Sequence, residues 1–145
     1  MRATYRALAG LIALGVVVQA ALIAAAWFTV LHNADNGSVF DKNTGYNWAQ
    51  IGHSVVGLML IPLFSIILLI VSFFVRVPGG VKWALITFGV VVLQILFAIF
   101  GFGAPIVGLL HGLNAFAVAG VASVAMRKAR LAEQPAPATQ PAPIA

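Results

Sequence analysis

The stretch that decides the fold is WALITFGVVVLQILFAIFGFGAPIVGLLHGLNAFAVAGVASVAM, Trp83 to Met126, in which no residue carries a charge. A membrane-spanning helix needs about 20 apolar residues, because the hydrocarbon core is about 30 Å thick and a helix rises about 1.5 Å per residue. The run is too long for one crossing. It is broken at Gly101-Phe102-Gly103-Ala104-Pro105, where two glycines and a proline interrupt a helical pattern. Pro105 then suits the first turn of the next helix, where a missing N–H costs nothing. Two further uncharged runs lie upstream: Ala7 to Leu31, and Ala49 to Val75, which is entered through Tyr46 and Trp48. The pattern predicts an all-α fold, a four-transmembrane-helix up-down bundle with helices over about 5–31, 47–75, 82–101 and 105–127. Residues 1–130 form the single transmembrane domain of this reading. Residues 131–145, with Pro135, Pro137, Pro141 and Pro143, read as a disordered Pro/Ala-rich cytoplasmic tail.

Composition excludes the alternatives. Of the 145 residues 62% are hydrophobic and 8% charged, whereas a soluble domain is about 25% charged. The net charge of +5 does not imply a nucleic-acid partner, because the cations do not form one basic face. Without cysteine there is no disulfide, thiol catalysis, Fe–S ligation or covalently attached c-type haem. The cations instead report topology. Arg2, Arg6, Arg76, Lys82, Arg127, Lys128 and Arg130 fall on one side of the bundle and only Lys42 on the other. The positive-inside rule then puts both termini in the cytoplasm of a multi-pass protein of the bacterial cytoplasmic (inner) membrane. Arg2 and Arg6 before an apolar run also resemble a signal peptide with a cleavable Ala24-Ala25-Ala26, but the run exceeds the usual h-region of about 7–15 residues. The anchor reading is preferred.

Ionisable residues inside a bilayer are costly and mark candidate functional sites. His53 in the second helix and His111 in the fourth both fall five to seven residues from the outer end of their helix, a depth of about 10 Å. Short loops make these two helices parallel and diagonal. Neighbouring axes about 8–10 Å apart give a diagonal of about 11–14 Å, which a metal between two imidazoles roughly fills. Haem requires only two axial ligands, and His53 and His111 meet that count; tetrahedral zinc requires four. Small residues flank both: Ala49 and Gly57 around His53, and Ala104, Gly108, Gly112 and Ala115 around His111. They leave a slot for a flat macrocycle, or else serve close helix packing as a small-xxx-small pair. A histidine that only hydrogen-bonds a neighbouring helix, a proton relay, or a Zn or Cu site are the competing readings.

Asn114, one turn after His111, is placed to bond a ligand or a haem edge. Gln19 and Gln94 lie near mid-membrane and either pair with each other or fix a histidine tautomer; packing is the preferred role. His32 reads as a solvated loop residue, and Pro62 as a kink in the second helix. Met59 and Met126 lie at the wrong depth to act as partners.

His53-Ser-Val-Val-Gly57 on one helix and Gly108-Leu-Leu-His111-Gly-Leu-Asn114 on another resemble the small b-type membrane cytochromes. The similarity is to the cytochrome b561 and hydrogenase or formate-dehydrogenase b-subunit group, and to four-span actinobacterial membrane proteins. It covers about residues 5–127. It implies haem b, with His53 and His111 as metal ligands, Gly57, Gly108 and Asn114 beside the cofactor, and electron transfer with quinol or a larger respiratory complex as partner. Such cytochromes usually carry two haems on four histidines; the cytoplasmic half here contains none, so one bis-His haem is expected. No nucleophile–base pair or carboxylate dyad is present, which disfavours hydrolysis. The alternative is a haem-free structural or assembly subunit of a larger membrane complex. A transporter would need broken helices in corresponding halves.

Overall fold

The structure is a computed structural model and describes residues 1–134. It contains helix and no strand among the described residues. The helices are α1 (Arg2–Asp35), α2 (Trp48–Ser72), α3 (Gly80–Gly101) and α4 (Pro105–Glu133). All four are long and apolar enough to cross a membrane, which defines a multi-pass membrane protein. α1 packs on α2 and α4, while α3 packs on α4 and the second half of α2, so α2 and α4 are diagonal as expected.

Six of the eight helix ends differ from the sequence reading, α2 for example stopping at Ser72 rather than 75, and three of the shifts have a local reason. α1 continues past 31 to Asp35 and takes His32 into its last turn, where Asn36 Nδ2 donates to the His32 carbonyl at 2.8 Å. That bond satisfies one of the carbonyls a helix end leaves unpaired. His32 is therefore exposed but helical, not a loop residue. α2 begins at Trp48 because Asn47 caps it: its side chain accepts from the N–H groups of Ala49 and Gln50, and Gln50 Oε1 accepts from Asn47 N–H at 2.8 Å. This is a reciprocal capping box. α4 runs to Glu133, so residues 131–133 of the expected tail are helical; the proline-rich segment 135–145 lies outside the described residues. Arg2 supports this end of α4 by donating from Nη1 to the Ala132 carbonyl at 2.7 Å, and its Nε reaches the Arg76 carbonyl at 3.1 Å. A cation over C-terminal carbonyls also opposes the helix dipole.

Pro62 acts through a wide turn. Residues Val56–Leu60 form a π-helical segment, and the Ile61 N–H bonds the Val56 carbonyl. A proline in a helix has no N–H and its ring presses on the carbonyl four residues back; the extra residue per turn relieves that crowding.

The bundle has two ends. The basic end holds the N-terminus, the turn between α2 and α3, and the end of α4. Most of the buried apolar core lies in the half that leads to it: Tyr5, Leu8, Ala9, Ile12, Leu68, Val77, Ala84, Val118, Ala122, Ala125 and Ala129. Alanines at 122, 125 and 129 bring α4 close to α1. Tyr5 is fully buried, and its hydroxyl donates to the Gly80 carbonyl at 2.8 Å. Gly79, with φ of +71°, makes the left-handed turn that presents this carbonyl. Ser65, Ser72 and Thr87 are also buried and return their hydroxyls to carbonyls of their own helices, so these buried hydroxyls are all paired.

Candidate functional site

At the other end, which carries the 36–47 loop and the tight turn at 102–104, the interior is polar. His53 and His111 are half-buried and lie close together across the diagonal, their ring centroids 6.3 Å apart and their planes inclined by 59°. The depth match counted from the sequence is realised. Each ring is held by a main-chain carbonyl of the helix beside it. His53 Nδ1 lies 3.2 Å from the Gln19 carbonyl on α1, and His111 Nδ1 lies 3.0 Å from the Gln94 carbonyl on α3. A carbonyl can only accept, so Nδ1 is the donor in both rings and, in the neutral tautomer this fixes, Nε2 is the nitrogen left for a ligand. The two helical hairpins thus contribute the same unit, a glutamine carbonyl holding a histidine.

The glutamine side chains differ. Gln94 Nε2 is 3.2 Å from both ring nitrogens of His111, which puts the amide over the ring face, since an in-plane position would overlap the carbon between them. The same amide donates to the His111 carbonyl at 2.9 Å, and Gln94 Oε1 accepts from Asn114 Nδ2 at 2.8 Å. Asn114 Nδ2 also donates to the Val90 carbonyl at 2.9 Å. Asn114 therefore reaches His111 through Gln94. On the His53 side, the Gln19 amide fills the room beside Gly57, where a Cβ would overlap Gln19 Nε2. Gly57 belongs to the π segment, so the wide turn and the missing side chain together admit Gln19. Gln19 Oε1 is buried without a hydrogen-bond partner among the described residues. The two glutamines engage different histidines.

The glycines assigned to one slot have different surroundings. Gly57 is occupied by Gln19, whereas a Cβ at Gly108 or Gly112 would meet nothing within 4 Å. The close packing at Gly108 is by its backbone: a Cβ at Gly101 would stand 3.0 Å from the Gly108 Cα. No group of three or more His, Asp or Glu side chains gathers among the described residues. Sequence reasoning missed the Gln19 and Gln94 carbonyls, which have no side-chain signature; the only available signal was a glutamine at histidine depth in each hairpin.

The fold and site define a four-helix multi-pass membrane protein with a paired-imidazole centre near one end. No family model matches the chain, and neither a curated protein nor a solved structure is similar to it.

Proposed function

We propose that the protein is an integral membrane b-type cytochrome that binds one haem b between His53 and His111 for electron transfer. The observation that carries this reading is the imidazole separation. Two imidazoles bound end-on to one metal, at about 2.0–2.1 Å per bond, have ring centres roughly 6 Å apart; His53 and His111 stand at 6.3 Å. The donor set fits as well. A ligating histidine ordinarily gives its second N–H to a carbonyl or carboxylate, which fixes the tautomer and the ring orientation. The Gln19 and Gln94 carbonyls do this for the two rings and leave Nε2 available on each. His53 and His111 would hold the haem, which would supply one-electron redox chemistry.

The chain's own residues have three tasks. Gln94 over the His111 face, itself held by Asn114, prevents the ring from turning. Gly108, one turn before His111, presents no side chain and leaves open space there. The apolar helices on either side set the pair within the bundle, away from any acidic side chain. With the basic end in the cytoplasm, the centre lies toward the outer face of a bacterial inner membrane, within reach of quinol or of a larger respiratory complex.

The test is optical. The protein purified from haem-sufficient cells is expected to show a six-coordinate b-type reduced-minus-oxidised spectrum, lost in His53→Ala and in His111→Ala. A colourless, folded protein that takes up no added haem would overturn the reading. The histidines would then be interhelical packing groups of a haem-free structural or assembly subunit.

A further inference from the structure

We propose that the groove between α1 and α4 at the basic end binds the phosphate of an anionic phospholipid. The groove, about 710 Å³, is lined by Arg6, Ser123, Met126, Arg127 and Arg130. Its three guanidinium groups stand where the apolar surface ends. Arg6 immediately precedes the uncharged run of α1, and Arg127 immediately follows that of α4. This is the level of lipid headgroups, with hydrocarbon on one side and water on the other.

Charge supplies the second argument. The chain has three acidic side chains; Asp35 and Asp41 lie at the loop end, which leaves Glu133 against seven cations at the basic end. Glu133 is already paired with Arg6, the only ion pair among the described residues. Arg127 and Arg130, three residues apart on one helix face, repel each other without an anion between them. A phosphate resolves this, because the guanidinium fork matches its oxygens and can bond two at once. Ser123, one turn before Arg127, adds a hydroxyl donor, and Met126 gives the groove an apolar floor. A Cβ at Gly10 would come within 3.2 Å of Met126 Sδ, so α1 and α4 hold that floor closed. An arginine mouth over an apolar floor suits an amphiphile better than a free ion, and basic pockets between membrane helices characteristically take anionic headgroups.

The test uses the full chain in neutral detergent and is independent of haem. Phosphatidylglycerol is expected to raise Tm by about 4 °C, with one lipid retained in native mass spectrometry. Phosphatidylcholine, whose phosphate is neutralised by its own cation, should do neither. Arg127→Gln/Arg130→Gln should abolish both effects. Arg127→Lys/Arg130→Lys, which keeps the charge and loses the fork, should weaken retention about tenfold. Lys42→Gln at the opposite end should leave both unchanged. The proposal fails if phosphatidylglycerol gives no rise, or acts equally on the double glutamine variant. It also fails if inorganic phosphate alone, or phosphatidylcholine, reproduces the whole effect.

Discussion

The half of the bundle toward the basic end and the half toward the loop end are built from the same four helices but solve different problems. The first buries Tyr5, Ile12, Leu68 and Val118 almost completely, and every buried hydroxyl in it has a partner. In the second, Ala26 and Ala49 are buried, and the space between the helices is given to His53, His111, Gln19, Gln94 and Asn114. A lipid-facing helix gains nothing from apolar contact alone, because the tails are as apolar as leucine; packing and interhelical hydrogen bonds must hold it. The basic half uses packing and the loop half uses hydrogen bonds. A polar interior that is only half-buried is the one suited to a ligand.

The contrast can be broken most directly at the histidines. His53→Ala and His111→Ala should each abolish the haem spectrum while the helical circular dichroism stays unchanged; a spectrum retained in either variant would place the cofactor elsewhere. Leu68→Ala should do the reverse. Leu68 is fully buried, and its truncation should cost about 2 kcal/mol, the low end for such a cavity, because transfer from lipid contributes little. Unfolding in mixed micelles measures this, with haem content per folded molecule unchanged. Tyr5→Phe should cost about 1 kcal/mol by the same measurement, since it removes one buried hydrogen bond to a carbonyl that keeps its bond within the helix.

The two glutamines sharpen the comparison within the loop half. Gln94→Leu breaks bonds to the His111 carbonyl and Asn114 and should cost about 1 kcal/mol. Gln19→Leu should cost less, because Gln19 Oε1 has no partner to lose. Equal losses would mean that the Gln19 side chain is bonded as firmly as that of Gln94.

The smallest effect lies in the 36–47 loop. The Asn43 N–H donates to Asp41 Oδ1 at 2.8 Å, and this bond, reinforced by Thr44, holds the Asp41 carboxyl below its ordinary pKa. A depressed carboxylate stabilises the fold at neutral pH, and that contribution is lost as pH falls through the folded value. The Asn43 amide resonance should therefore titrate with a midpoint below that of an unperturbed aspartate. Asp41 is fully exposed, so global stability should hardly change.

The features legible in the sequence were those carried by side-chain identity and count. Trp83–Met126 could only be two crossings, and Gly101–Pro105 marked the turn between them; both hold in α3 and α4. His53 and His111 could be set at one depth because helical rise is fixed, and their 6.3 Å approach agrees with that count. The ends of α1 and α4 were less legible. They were set by Asn36 and Arg2 reaching carbonyls, and such caps change a boundary by several residues without changing hydropathy.

Hydropathy, charge placement and helical rise thus determined from sequence that this is a four-span bundle with two imidazoles in one layer. Only the tertiary structure decided what each polar group touches. Main-chain carbonyls of Gln19 and Gln94 orient the rings, Gln19 rather than open space stands beside Gly57, and Asn114 acts through Gln94. The reason is geometric. Every residue carries the same carbonyl, so the sequence does not mark which one a neighbouring helix presents to a ring; the rotation of each helix about its axis does.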